Sequence, residues 1–240
     1  MEDIEIFTTL LTDLNITLSK KQVDQFLKYY EMLIERNKVI NLTTITEYQE
    51  VVKKHFIDSL SLVKVFNTNQ ELSVIDMGTG AGFPGIPLKI TFPNWKMVLF
   101  DSVNKKINFL NEVIDTLGLE NVTATHGRAE DYGKKVEYRE NFDLCVSRAV
   151  ARLSILAEFC IPFVKVDGYF ISYKAGNIQE EIEESNDAIC ILGGKIEKAE
   201  TFQLPESDIE RSFIVVKKIE ETPIKFPRKA GKLAKNPLVI

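Results

Sequence analysis

The stretch LSVIDMGTGAGFPGIPLKI, residues 72–90, decides the fold. Its first five residues alternate in character and end in an acid, Asp76, which reads as a short strand. Gly78, Gly80, Gly82 and Gly85 then crowd into one turn, and Pro84 and Pro87 follow. Glycine permits positive φ and lets the backbone approach a ligand with no Cβ in the way. Pro84 suits the first helical position, where no N–H partner is needed. The segment therefore predicts a strand, a ligand-holding turn and a helix, the arrangement found at the carboxyl edge of an open α/β sheet.

Working outward, KMVLFD (96–101), VTATH (122–126), FDLCVS (142–147) and GYFISYK (168–174) read as further short strands. Helical stretches such as NKKINFLNEVIDTLG and RLSILAEFCIPFV lie between them. That alternation predicts right-handed crossovers and a mainly parallel sheet. Near the end, GGKIEKAETFQL and RSFIVVKKI are separated only by PESDIE. The connection is too short for a helical crossover, so these two strands are expected to be antiparallel.

Before residue 67 the period is helical. LSKKQVDQFLKYYEMLIERN opens on a capping box, Ser19 with Gln22, and places Val23, Phe26, Leu27, Tyr30, Leu33 and Ile34 on one stripe. The loop NKVINLTTIT leads to a second amphipathic run from Glu47 to Phe66, and the polar NTNQE marks a boundary. The expected organisation is a helical extension, 1–66, followed by an α/β domain, 67–240.

Composition bounds the possibilities. The chain has 240 residues, 45% hydrophobic and 27% charged, as expected of a globular protein with a real core. MEDIEIFTTLL is acidic and lacks the pattern of a secretory signal, and no window approaches the roughly 18 apolar residues of a membrane span. Cys145, Cys160 and Cys190 are odd in number and widely spaced, which predicts buried, reduced, inert thiols in a cytoplasmic protein and no metal site. Net charge is −5, unevenly spread. From Pro223 onward there are Lys225, Arg228, Lys229, Lys232 and Lys235 and no acid, leaving 25 basic against 35 acidic groups elsewhere. A basic tail on an acidic body is either a phosphate-contacting patch or a solvated extension.

A dinucleotide site would want G-x-G-x-x-G, and Phe83 stands in the third-glycine place. D-x-G-x-G-x-G after the first strand instead looks like the S-adenosylmethionine turn of class I methyltransferases. That ligand has no phosphate; it needs close backbone approach, an acid for its amino group and an acid for its ribose. Asp76 and Asp101 end the first two strands, and HGRAED ends the third, which makes Ala129 (backbone) and Glu130 candidates for the adenine. The glycines of the turn, Gly78 and Gly80 among them, offer that close backbone approach.

The acceptor is narrowed by what is missing. The fourth strand ends in SRAVAR rather than Asn/Asp-Pro-Pro-aromatic, the mark of exocyclic-amine methylation. There are only two histidines, His55 and His126. An acceptor such as N7 of guanine is already a lone-pair nucleophile and needs no base; holding it in line with the methyl is enough. Arg or Lys would donate to the guanine edge. Arg128, Arg148 and Lys174 fall at predicted strand ends as candidates, and Arg152 follows, the plainest surface charge of the four.

NKVINLT, HFIDSL, DMGTGAGFPGIPLKI, DSVNKKINFL, GRAED, SRAVA and PRKAG occur in that order. Together they resemble the bacterial 16S ribosomal RNA (guanine-N7)-methyltransferases, also called the glucose-inhibited division protein B family, from about residue 30 to the end. The resemblance implies a class I, Rossmann-like domain with a mostly parallel seven-stranded sheet, an antiparallel last strand and an N-terminal helical extension. It implies S-adenosylmethionine as cofactor and 16S ribosomal RNA, the small ribosomal subunit or its precursor as partner. Carried over by motif, Gly78, Phe83, Ala129, Glu130 and Arg148 are cofactor contacts. Arg152, Arg228, Lys229 and Lys235 are expected on RNA. The tail departs from the family pattern at Leu233 and Ala234. His55, Asp58 and Ser59 share one helix and are read as holding the extension against the sheet. The competing readings are a small-molecule methyltransferase, a non-enzymatic RNA-binding assembly factor and a nicotinamide-linked oxidoreductase, the last disfavoured by Phe83.

Overall fold

The structure, a computed structural model, describes residues 2–148, 151–176, 178–229 and 238. Two long helices, α1 (Glu2–Thr12) and α2 (Lys20–Ile40), open the chain. The Ser19–Gln22 capping box is formed, and Asn41 ends α2 in the left-handed conformation. The next helical run is irregular: α3 (Tyr48–Val51) passes into a π-helical turn, Val52–Ile57, then into α4 (Asp58–Leu60) and a short 3₁₀ turn. π turns are frequent at functional sites.

The sheet comprises β1 (Ser73–Met77), β2 (Lys96–Asp101), β3 (Val122–His126), β4 (Phe142–Arg148), β5 (Val164–Lys174), β6 (Gly194–Gln203) and β7 (Glu210–Lys218). Their order is β3-β2-β1-β4-β5-β7-β6. β1 through β5 pair in parallel, while β7 inserts between β5 and β6 and is antiparallel to both. The helices are α5 (Gly85–Thr91), α6 (Asn104–Leu117), α7 (Ala129–Tyr132), α8 (Leu153–Cys160) and α9 (Gln179–Ile191). Pro84 sits one residue ahead of α5, as its cap, and Pro87 lies in the first turn.

The core is two-faced, as a covered sheet requires. Val74 and Ile75 are adjacent and fully buried, yet face opposite layers, because strand side chains alternate. One layer packs Val74, Leu144 and Ile171 against Phe26, Phe56, Ile86 and Phe109. The other packs Ile75, Cys145 and Phe170 against Leu156, Phe163 and Ile189. The helical extension belongs to the first layer: Phe7, Phe26 and Phe56 meet ring to ring at 5.0–5.9 Å. It shares one continuous core with the α/β domain. Among the described residues no helix is long and apolar enough to cross a membrane.

The expectation of three buried thiols holds for two. Cys145 and Cys160 are buried, but Cys190 is exposed, on the outer face of α9.

Candidate active site

A cavity of about 1070 Å³ opens beyond the carboxyl ends of β1, β2, β3, β4 and β5 and the start of β7. The switch in strand order between β1 and β4 lies beneath it, where an open α/β sheet binds its ligand.

The glycine turn forms one wall. Gly78 and Gly80 have φ of +73° and +64°, conformations that side chains rarely adopt. A Cβ on Gly80 would meet only the Gly78 carbonyl, at 4.0 Å, so the space it would claim is that of the cavity. Gly82, at φ +109°, faces inward instead. A Cβ there would come within 2.6 Å of Ile86 and 2.8 Å of the Tyr29 hydroxyl. Tyr29 itself donates to the Ala81 carbonyl at 2.7 Å, so α2 of the extension pins the turn from behind.

Asp101 lines the cavity from the tip of β2. Its Oδ2 accepts from the Gly80 N–H at 2.9 Å and its Oδ1 from the Val103 N–H at 2.9 Å. Ala129 and Glu130 line the cavity from the start of α7, with the exposed Arg128 beside them. The expected adenine and ribose groups are thus gathered on the β1–β2–β3 side.

Asp76 departs from its expected role. It is fully buried and does not line the cavity. Oδ2 accepts from the Thr79 hydroxyl at 2.6 Å and from the Gly85 N–H at 2.8 Å, tying the two ends of the turn together. Oδ1 has no partner among the described residues. Burial pushes this carboxyl up to about 7, against the hydrogen bonds that favour its charged form. Its side chain points back into the turn because the strand pleat, not the sequence motif, sets its direction.

On the other side of the switch, Arg148 ends β4 and is held by the extension. Its Nη1 donates to Asp58 Oδ2 at 2.8 Å, and its guanidinium lies 5.2 Å from the Phe83 ring. The His55 ring stacks on the opposite part of this cluster, 4.4 Å from Phe83 at 20°. Phe83 is 6% exposed and enclosed by His55, Arg148 and Tyr29, so its ring is mainly a packing element at the cavity edge. Asp58 also takes Arg211 Nε on Oδ1 at 3.0 Å, which joins the extension to both β4 and β7. His55 Nε2 shares a hydrogen bond of 2.9 Å with the Thr43 hydroxyl. Burial first, and then the charge of Arg148, hold His55 down to about 3, so its imidazole is neutral at physiological pH.

Of the remaining expected residues, Lys174 lines the cavity and is bound to Glu181 at 2.6 Å and to the Ala151 carbonyl at 2.9 Å. Arg152 does not line it; its guanidinium is exposed and pairs with Glu184 at 3.2 Å. Arg228 is corrected from an RNA contact to an internal anchor. Its N–H and guanidinium make four hydrogen bonds of 2.6–3.0 Å to the buried Glu158 of α8. Lys229 is exposed, and Lys235 lies outside the described residues. Sequence reasoning missed Leu42, Thr43, Ile45, Tyr173 and Arg211 as cavity-lining residues. Arg211 had a signal. A cation at the start of an antiparallel strand reaches the same sheet edge as one at the end of a parallel strand.

The glycine wall, Asp101 at the tip of β2 and the sheet order are those of a class I S-adenosylmethionine-dependent methyltransferase. Comparison with solved structures agrees on the fold. The structure of M. jannaschii TYW2 in complex with AdoMet gives a TM-score of 0.55 at 18% identity, covering 73% of this chain and 80% of that one. A SAM-dependent methyltransferase from Aquifex aeolicus gives 0.52 at 17% identity, covering 70% and 92%.

The family is more specific than the fold. The family model for rRNA small subunit methyltransferase G, GidB, matches residues 22–212, and the chain belongs to that family. A relative named ribosomal RNA small subunit methyltransferase G, from Lachnoclostridium phytofermentans, is 54% identical over 100% of this chain and 99% of that protein. The relative of the same name from Lactococcus lactis subsp. cremoris is 51% identical, over 97% and 98%.

Proposed function

We propose that this protein transfers a methyl group to N7 of a guanine in 16S ribosomal RNA, in the cytoplasm, by direct in-line displacement with no covalent enzyme intermediate. The observation that carries this reading is that the groups able to act as a base beside the β4 and β7 tips of the cavity, His55 and Asp58, are already engaged. His55 is held neutral far below neutral pH and is bonded to Thr43. Asp58 is occupied by two arginines, and Asp101 by two backbone N–H groups. An acceptor that must lose a proton is poorly served by such a site. The N7 lone pair is not, since attack needs only position and exclusion of water.

S-adenosylmethionine, when bound, supplies an electrophilic methyl on a sulfonium. The residues present fit it. The Gly78 and Gly80 backbone leaves room for close approach, Asp101 offers a carboxylate for a diol, and Ala129 and Glu130, which line the cavity after β3, would meet the adenine edge. Lys174 and Arg128 stand at the cavity as donors to a guanine edge, and Arg148 keeps the β4 tip rigid through Asp58. Lys229, exposed in the tail, would contact an RNA phosphate.

The test is nucleoside mass spectrometry of small-subunit rRNA from cells lacking the protein. We expect loss of one 7-methylguanosine and its return with the wild-type chain. An undiminished 7-methylguanosine signal would overturn the proposal.

A further inference from the structure

We infer that the loop Leu42–Ile45 of the helical extension forms the wall of the acceptor-base subsite, held in place by Asn37. This rests on the guanine reading above and names the part of the cavity that receives the base.

The cavity, at about 1070 Å³, stands at the top of the range of about 300 to about 1000 Å³ for small-molecule sites. Its lining divides by topology. The residues suited to the methyl donor lie on the turn after β1 and at the tips of β2 and β3. Leu42, Thr43 and Ile45 belong to the other half. Thr43 is bonded to His55, which stacks on Phe83. One turn further on, Asp58 reaches the tips of β4 and β7. The loop is therefore anchored beside the β4–β5–β7 tips, where Lys174 also lines the cavity.

The loop is built rather than slack. Asn37 Oδ1 accepts from the Leu42 N–H at 2.6 Å and from the Thr43 N–H at 2.9 Å, and the Thr43 hydroxyl accepts from the Ile45 N–H at 3.1 Å. These bonds satisfy N–H groups of the loop that follows α2, and two apolar side chains of that loop, Leu42 and Ile45, line the cavity. Apolar side chains beside a cationic donor are what an unstacked guanine needs, a surface for its face and an N–H for its O6 edge. Leu42 and Ile45 touch the base; Asn37 is a positioning residue that acts through the loop.

The test is steady-state methyl transfer to 16S rRNA purified from cells lacking the protein, with S-adenosylmethionine binding measured by calorimetry. Leu42→Ala and Ile45→Ala should each raise KM for rRNA about tenfold and leave the donor dissociation constant within about twofold. Asn37→Ala should do the same, and Asn37→Asp, which keeps the Oδ1 acceptor, should restore the wild-type KM. A role in stability alone would move the melting temperature and not this KM pattern. Because a variant can fail to fold, the wild-type chain is also cross-linked to rRNA carrying 6-thioguanosine. The cross-link should map to the peptide containing residues 42–45. Unchanged KM in Leu42→Ala and Ile45→Ala, donor affinity falling in step with KM, or a cross-link elsewhere would overturn the inference and leave the proposed function standing. No transfer by the wild-type chain to this rRNA, or to small subunits and their precursor particles from the same cells, would overturn both.

Discussion

Asp58 and Arg148 form an ion pair at 2.8 Å between an element of the helical extension and the tip of β4. Both side chains are largely out of water, at 4% and 13% exposure, and the second carboxylate oxygen of Asp58 holds Arg211 at 3.0 Å. One carboxylate therefore closes a three-way joint over the cavity. Phe83 and His55 pack against the same joint, so the cavity edge and the extension meet in one packed cluster.

Removing the shared partner leaves two cations facing each other with no counter-charge. Asp58→Ala is expected to lower unfolding free energy by about 3–5 kcal/mol, the range for a buried pair broken on one side. Urea denaturation checks this. A loss under about 1 kcal/mol would show that the joint is solvated and contributes little.

His55 gives the protein an acid limit. Its folded value, about 3, lies below its ordinary 6.5. The unfolded chain therefore binds a proton that the folded chain refuses, and stability falls as pH drops from about 6.5 toward about 3. His55→Gln should flatten that fall. Melting temperatures of both proteins across the window decide it; parallel curves would remove His55 as the cause.

The glycine turn makes a steric prediction. Gly82→Ala puts a Cβ within 2.9 Å of Ile86, Tyr29 and Leu110 at a φ of +109°, and should cost about 2–4 kcal/mol from overpacking and strain together. Gly176, also at positive φ (+73°), has open space for 4 Å around the position a Cβ would take, so Gly176→Ala should cost only about 1 kcal/mol. Equal losses would mean that backbone strain alone matters.

Arg228 and Lys229 are neighbours with different fates. Arg228→Ala leaves the buried Glu158 unpaired and should cost about 3–5 kcal/mol of stability. Lys229→Ala should leave stability unchanged and lower the salt dependence of RNA binding by about one phosphate contact. Binding titrations over a salt series separate the two residues. An unaltered slope in Lys229→Ala would show that its ammonium stays in solvent.

The turn at Gly78 and Gly80 and the carboxylate of Asp101 were legible because they depend on neighbours in the chain. Positive φ selects glycine locally, and a strand end places its last acid at the sheet edge. Asp76 was misread because the same motif logic cannot see which way the pleat turns one side chain. Arg228 looked like an RNA contact because its partner, Glu158, lies 70 residues away. Cys190 was expected to be buried and is not, since a weakly amphipathic helix does not declare its outer face.

By itself, the sequence determined the order of helices and strands, the mostly parallel sheet with an antiparallel last strand, the glycine turn and the family. These follow from hydrophobic period, glycine and proline placement, and connection length, all of which act over a few residues. Tertiary structure alone decided that Asp58 joins β4 to β7, that Tyr29 pins the glycine turn, and that the Leu42–Ile45 loop lines the cavity. Each depends on groups separated by 12 to 153 positions in the chain. Packing chooses among the many polar partners that composition permits.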